Sequence, residues 1–179
     1  MGKYVAFLRG MNLGRRRITN DELCRCFDAM GFEDVAAFLA SGNILFSARA
    51  RSGATLAKRI AEGLKERLDY EVPTFVRSAK QLAAIASYSP FSATALARTE
   101  RRLQVALLRG EPTAEIARTA ENLTTADDHL AVKGSELYWL PKAGLSTSDL
   151  DTRLLEKLLG PMTIRTQRTL VRLNGRLFA

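Results

Sequence analysis

The residues best suited to chemistry in this chain are arginines beside glycines. Gly10-Met11-Asn12-Leu13-Gly14-Arg15-Arg16-Arg17, preceded by Arg9, combines glycines that let backbone amides approach an oxyanion with guanidinium forks that match phosphate or carboxylate. It contains neither the G-x-x-x-x-G-K-[ST] nucleotide loop nor the G-x-G-x-x-G dinucleotide pattern, and a plain turn with solvated arginines has the same composition. A second set, Arg165, Arg168, Arg172 and Arg176, is spaced 3, 4 and 4. A helix through them gathers all four within an arc of roughly 80° and turns Leu170, Leu173 and Leu177 about 120° away. No acidic residue stands three or four positions from any of these arginines, although a surface helix with leucines inward needs no ligand. Gly175 is a candidate stop that would take Arg176 off the stripe. Ser41-Gly42-Asn43, between two apolar runs, could bring a hydroxyl and an amide near Arg9, or could simply turn the chain.

Other reaction types find little support. His129 is the one histidine, so any Ser-His or Cys-His pair must use it, and no G-x-S-x-G elbow presents a serine. Glu33-Asp34 and Asp127-Asp128 are adjacent carboxylates entering strands, where neighbours point apart, which disfavours metal binding or acid/base pairing. Cys24 and Cys26 are too close in sequence to meet on a helix and too few for a thiolate cage; they read as reduced packing residues. The expectation is no metal and no cofactor. Tyr138 and Trp139 alternate on one strand, one ring to each face.

Charge sharpens the picture. The 179 residues carry 27 Lys plus Arg against 19 Asp plus Glu, a net +8. Residues 1–20 contribute +5 through Lys3, Arg9, Arg15, Arg16 and Arg17, and residues 157–179 another +5 through Lys157, Arg165, Arg168, Arg172 and Arg176. The stretch between holds 17 basic and 19 acidic residues, a net −2. The basic excess thus sits at the two ends, either as solvated termini or as one anion site to which both contribute. No apolar run approaches the roughly 18 residues of a membrane span, and the opening residues match neither a signal peptide nor a myristoylation signal. A cytoplasmic protein with no membrane partner is expected.

These residues must be held by ordered elements, and a chain of this length can bury roughly 70% of its unfolded surface without staples. Tyr4 to Arg9 reads as a buried strand closed by Gly10; Asn20 is a good cap for a helix through Leu23, Phe27 and Met30 to Gly31. Strands over 35–39 and 43–46, a helix on the stripe Leu56, Ile60, Leu64 and Leu68, and a strand over 74–76 complete the order βαββαβ of a ferredoxin-like unit. The second half repeats it: strand 103–108, helix 112–123, strands 129–132 and 137–140, a helix on Leu150, Leu154 and Leu158, and strand 162–164. Val5-Ala6-Phe7-Leu8-Arg9-Gly10 aligns with Val105-Ala106-Leu107-Leu108-Arg109-Gly110 at an offset of 100. The expected architecture is α+β: two ferredoxin-like βαββαβ units from an internal duplication, over 1–77 and 103–179, joined by a helical connection over 78–102, with a basic C-terminal helix.

Phe7-Leu8-Arg9-Gly10-Met11-Asn12-Leu13-Gly14, Gly31-Phe32-Glu33-Asp34-Val35, Ser41-Gly42-Asn43-Ile44-Leu45-Phe46 and Thr163-Ile164-Arg165 together resemble the domain-of-unknown-function family 1697, nearly end to end. The resemblance implies a two-part protein of ferredoxin-like units, mostly bacterial and cytoplasmic, and imports no reaction. One departure stands out: where the family pattern has an Asn-Trp pair, this chain has Thr166-Gln167, with Arg172 in place of a lysine.

Two functional classes remain open. The first is a binding module in which Arg9, Asn12, Gly14, Arg15, Arg16, Arg165, Arg168 and Arg172 form a basic surface for an anionic small molecule or nucleic acid. The run Ser41 to Phe46 is a poor match to the base-stacking RNP1 pattern. The second is a small metal-independent enzyme for an anionic metabolite, with Ser41, Asn43 and Asn12 as polar groups and Arg9 or Arg165 as clamp. An oligomeric scaffold is a third reading, and the sequence leaves both catalysis and oligomeric state undecided.

Overall fold

A computed structural model describes residues 1–11, 17–39, 42–49, 52–99, 102–142, 148 and 150–178. Contacts divide the chain into two compact units, Met1–Ala84 with Leu173–Ala179, and Ile85–Arg172.

In the first unit the order is β1 (Gly2–Leu8), α1 (Asn20–Ala29), β2 (Glu33–Ala37), β3 (Asn43–Ala48), α2 (Gly53–Leu68) and β4 (Thr74–Ser78). The strands form one antiparallel sheet in the order β2-β3-β1-β4, the ferredoxin-like arrangement. Alternation along the strands sends Tyr4, Ala6, Leu8, Ile44 and Phe46 to the helix-covered face, where they meet Leu23 and Phe27 of α1 and Leu56, Ile60 and Leu64 of α2. Phe46 is the hub, with its ring centroid 4.8 to 5.7 Å from those of Phe32, Phe27 and Tyr4. The opposite face is buried too, since Val5, Phe7 and Phe75 are all but inaccessible.

The cap of α1 is one residue earlier than expected. Thr19, not Asn20, caps it: the Glu22 amide donates to Thr19 Oγ1 at 3.2 Å, while the Thr19 amide and hydroxyl both donate to Glu22 Oε2 at 2.8 Å. Such a box needs an acid three residues after the cap, which Thr19 has in Glu22 and Asn20 lacks, having Leu23 there.

The second unit repeats the plan. After α3 (Ala79–Ser87) and α4 (Ala93–Arg98) come β5 (Gln104–Leu108), α5 (Ala114–Glu121), β6 (Asp128–Lys133), β7 (Glu136–Pro141), α6 (Thr152–Leu159), β8 (Met162–Thr166) and α7 (Gln167–Phe178). The sheet order is β6-β7-β5-β8, again antiparallel. The register repeats as well: Val5 faces Arg77 across β1 and β4, and Val105 faces Arg165 across β5 and β8. Ser78 accepts from the Gln81 amide at the start of α3, as Thr166 accepts from the Thr169 amide at the start of α7. The helix expected as an appendage to the second unit therefore has a counterpart in α3, and the repeating order is βαββαβα. Two such units fit an internal duplication. Among the described residues, no helix is long and apolar enough to cross a membrane.

The pair Asp127-Asp128 divides as strand geometry requires. Asp127 is exposed and accepts from Lys142 at 2.7 Å, whereas Asp128 is buried and accepts from Trp139 Nε1 at 2.6 Å, Ser148 Oγ at 2.9 Å and Thr125 Oγ1 at 3.3 Å. The buried carboxylate ties the hairpin to the chain that follows it.

Asp128→Ala strands a buried indole N–H, so denaturant unfolding, read by the single Trp139, should show a loss of about 2–3 kcal/mol. Gly42 has φ +69, and a Cβ there would lie 3.1 Å from Leu8 Cβ and 3.2 Å from Met11 Cγ; Gly42→Ala should cost roughly 1–3 kcal/mol. The bonds from the Thr19 backbone and side chain hold the Glu22 carboxyl below its ordinary value of 4.5. A depressed carboxyl stabilises the fold above its unfolded pKa and loses that contribution as pH falls through the folded one. Glu22→Gln should therefore flatten the acid limb of a stability-against-pH curve below about 4.5 and leave its neutral shape unchanged.

Candidate functional site

Of the arginine-and-glycine loop, Asn12, Gly14, Arg15 and Arg16 lie outside the described residues, as does Ser41. Arg9 is half-buried at the end of β1; its amide donates to Pro73 O at 3.0 Å, and Gly10 turns the chain with φ +74. Asn43, at the start of β3 opposite Phe7, is fully buried. Its Nδ2 donates to Phe38 O at 3.0 Å while the Phe38 amide donates to Asn43 O at 2.9 Å, so its side chain clasps the β2–β3 connection. The turn reading of Ser41-Gly42-Asn43 accounts for this residue. Arg9 and Asn43 thus sit at one end of the first sheet.

The C-terminal arginines need one correction. Arg165 is on β8, not on the helix with the others, because α7 begins at Gln167, after the Thr166 cap. Arg165 Nη1 donates to Thr163 Oγ1 at 2.8 Å and Ile164 O at 2.9 Å. Burial pushes its pKa down to about 10, still far enough above neutrality to keep the guanidinium charged. Arg168 and Arg172 are exposed on α7 while Leu170, Leu173 and Leu177 are buried, the division that the spacing predicts. Gly175 does not end the helix, which runs on to Phe178 and keeps Arg176 on it. Lys3 Nζ donates to Leu177 O at 2.9 Å, so within the first unit the last turn of α7 meets the beginning of β1.

A basic concavity lies where α1 meets the end of α2. Arg17 and Ile18 precede α1; Glu22, Arg25 and Cys26 follow along one of its faces; Arg67, Leu68 and Tyr70 close the other side. The cleft has a volume of about 640 Å³. Three arginines from three separate segments line one space, and the acid among them, Glu22, accepts two bonds from Thr19 and feels the charge of Arg25. Burial raises the Cys26 thiol above its ordinary pKa, outweighing the opposing pull of Arg67 and Arg25, so the thiol stays protonated at neutral pH. The Glu22 carboxyl, held low, is a weak base. Neither of these two groups is poised to move a proton at neutral pH. Among the described residues no cluster of His, Cys, Asp or Glu could hold a metal ion.

Sequence reasoning singled out Arg17 within its loop but did not connect it to Arg25 and Arg67, which line the same cleft because α1 packs against α2. It also missed Arg77, the counterpart of Arg165. Arg77 is buried and its Nη1 donates to Val76 O at 3.0 Å, matching the Arg165 bond to Ile164. Extending the internal alignment from β1 and β5 to Thr74-Phe75-Val76-Arg77-Ser78 and Met162-Thr163-Ile164-Arg165-Thr166 would have exposed it. The departure at Thr166-Gln167 has a structural reading. Thr166 caps α7, as an asparagine could, and Gln167 Nε2 donates to Tyr88 O at 2.8 Å.

No curated protein matches the chain. A solved structure, the conserved bacterial protein SP0830 from Streptococcus pneumoniae, is similar to it with a TM-score of 0.79 at 22% identity, over 100% of this chain and 99% of that one. At that identity the likeness carries the fold alone. The family model described as a protein of unknown function, DUF1697, matches residues 1–138, ending before the C-terminal motif that the resemblance had included. With its FLRG-M-N-x-G and SGN-I-L-F segments inside that span, the chain belongs to the DUF1697 family.

Proposed function

We propose that this protein is a binding module for a phosphate-bearing anion, held in the cleft between α1 and the end of α2. The observation that carries the reading is the convergence of Arg17, Arg25 and Arg67 on one cavity whose acid, Glu22, is tied to Thr19. Guanidinium forks bind phosphate oxygens bidentately, and three of them around a space this size match a doubly or triply charged group better than a lone carboxylate. The net charge of +8 favours encounter with such ligands. Ile18, Leu68 and Tyr70 supply apolar surface for whatever carries the phosphate.

Phosphates of a free nucleotide and of a single-stranded nucleic acid share this chemistry. Base stacking on the open sheet, as in RNA-binding ferredoxin-like domains, is not the mode favoured here, because Val5, Phe7 and Leu45 on that face are buried. The exposed Arg168 and Arg172 of α7 offer the competing surface, the one nearer to the expectation of a basic patch from both termini.

The test is titration of a nucleoside triphosphate and, separately, of a labelled single-stranded oligonucleotide at low and moderate salt. Arg25→Ala and Arg67→Ala should each weaken binding by about 10- to 100-fold, the range of a hydrogen bond to a charged group, while Arg168→Ala leaves it unchanged. For the oligonucleotide, each lost phosphate contact should lower the slope of log K against log salt by roughly 0.7. Binding that survives Arg25→Ala and Arg67→Ala but fails in Arg168→Ala moves the site to α7 and overturns this assignment. Affinity that ignores salt overturns the phosphate reading altogether.

A further inference from the structure

A second cavity in the first unit has a different charge pattern. It has a volume of about 340 Å³ and is lined by Lys3, Asp34, Ala36, Leu45, Phe46, Ser47, Arg176 and Leu177. Lys3 and Ser47 are direct partners across β1 and β3. Ser47, buried, donates its hydroxyl to Asp34 Oδ2 at 2.8 Å. Asp34 occupies a left-handed conformation, φ +52, where the β2–β3 register slips between Glu33 and Ala36. A bulge of this kind re-aims a side chain at the cost of local strain, and here the carboxylate is brought to Ser47.

Opposite charges, all on exposed residues, share this space. Lys3 Nζ spends one of its three hydrogens on Leu177 O, and among the described residues no ion pair joins Asp34 to Lys3 or Arg176. A ligand with only a negative group would face the Asp34 carboxylate, and one with only a positive group would face two cations. A molecule carrying both, an ammonium for Asp34 and a carboxylate for Lys3 and Arg176, satisfies every charge at once and is favoured over either single-charge competitor. Ala36, Leu45 and Leu177 offer an apolar wall, and the volume lies at the small end of ligand pockets. We infer that this cleft binds a small zwitterion of amino-acid size, with its amine on Asp34 and its carboxylate between Lys3 and Arg176. The site shares no residue with the arginine cleft, so either assignment can fail without the other.

The test is calorimetric or ligand-observed NMR titration of the full chain with the free proteinogenic amino acids, each compared with its carboxamide and its N-acetyl derivative. At least one free amino acid should bind, and each blocked form should bind at least about tenfold more weakly. Asp34→Asn should bring the free amino acid down to its N-acetyl form, and Arg176→Gln should bring it towards the carboxamide. Arg67→Ala should change nothing. Arg176 is exposed, so Arg176→Gln should fold normally, and the comparison of blocked ligands on the unmodified protein needs no variant at all. Failure of every free amino acid to bind overturns the inference, as does equal binding by the N-acetyl or carboxamide forms.

Discussion

Both sheets depend on a central strand buried on its two faces. In β1, Tyr4 to Leu8 are all buried, with Tyr4, Ala6 and Leu8 under α1 and α2 and Val5 and Phe7 on the other side. In β5, Gln104 to Leu108 are all buried as well. A strand so placed cannot alternate apolar and polar residues, which is why Val5-Ala6-Phe7-Leu8 and Val105-Ala106-Leu107-Leu108 read as continuous apolar runs. The consequence reaches function: the broad sheet face is closed, and polar chemistry is displaced to helix ends, strand edges and the sheet margins.

The charged residues obey that constraint. Arg17, Arg25 and Arg67 gather where two helices end, and Lys3, Asp34 and Arg176 gather at a sheet margin beside a bulged edge strand. The exceptions are Arg77 and Arg165, each beside a central-strand valine, with a guanidinium hydrogen bonded to the carbonyl of the residue before it. Burying an arginine is costly unless its donors are satisfied. That the same solution occurs at matching positions in both units marks the arginine as part of the repeated design, together with the hydroxyl residue after it that caps the next helix.

The two family-like motifs of the N-terminal half are one structural feature. Leu8 donates its amide to Gly42 O at 2.8 Å, and Gly42 packs so closely on Leu8 and Met11 that a Cβ would crowd both. Asn43 then clasps Phe38 behind it. Residues that look like ligands by type, a glycine and an amide near an arginine, are here occupied in joining β1 to β3. The lone histidine lies exposed on β6, its ring centroid 6.4 Å from that of Phe91.

The fold was legible in the sequence because its signals are local. Strand runs, helical stripes, the 100-residue offset and the leucines of α7 depend on periods of two and 3.6 residues that the chain carries in its order, and two-sided burial makes the central strands conspicuous. The placement of Arg165 on the helix was the local error, since a stripe of arginines at helical spacing continues past the cap that starts the helix. The sites were not legible to the same degree. Arg25 lies some forty positions from Arg67, and Lys3 lies at the opposite end of the chain from Arg176, so no window of sequence contains either pair. Sequence alone established the basic excess, the element order and the repeat. Only tertiary packing decided which charges share a cavity, because electrostatic neighbours are set by distance in space, and a folded chain brings together residues that its covalent order keeps apart.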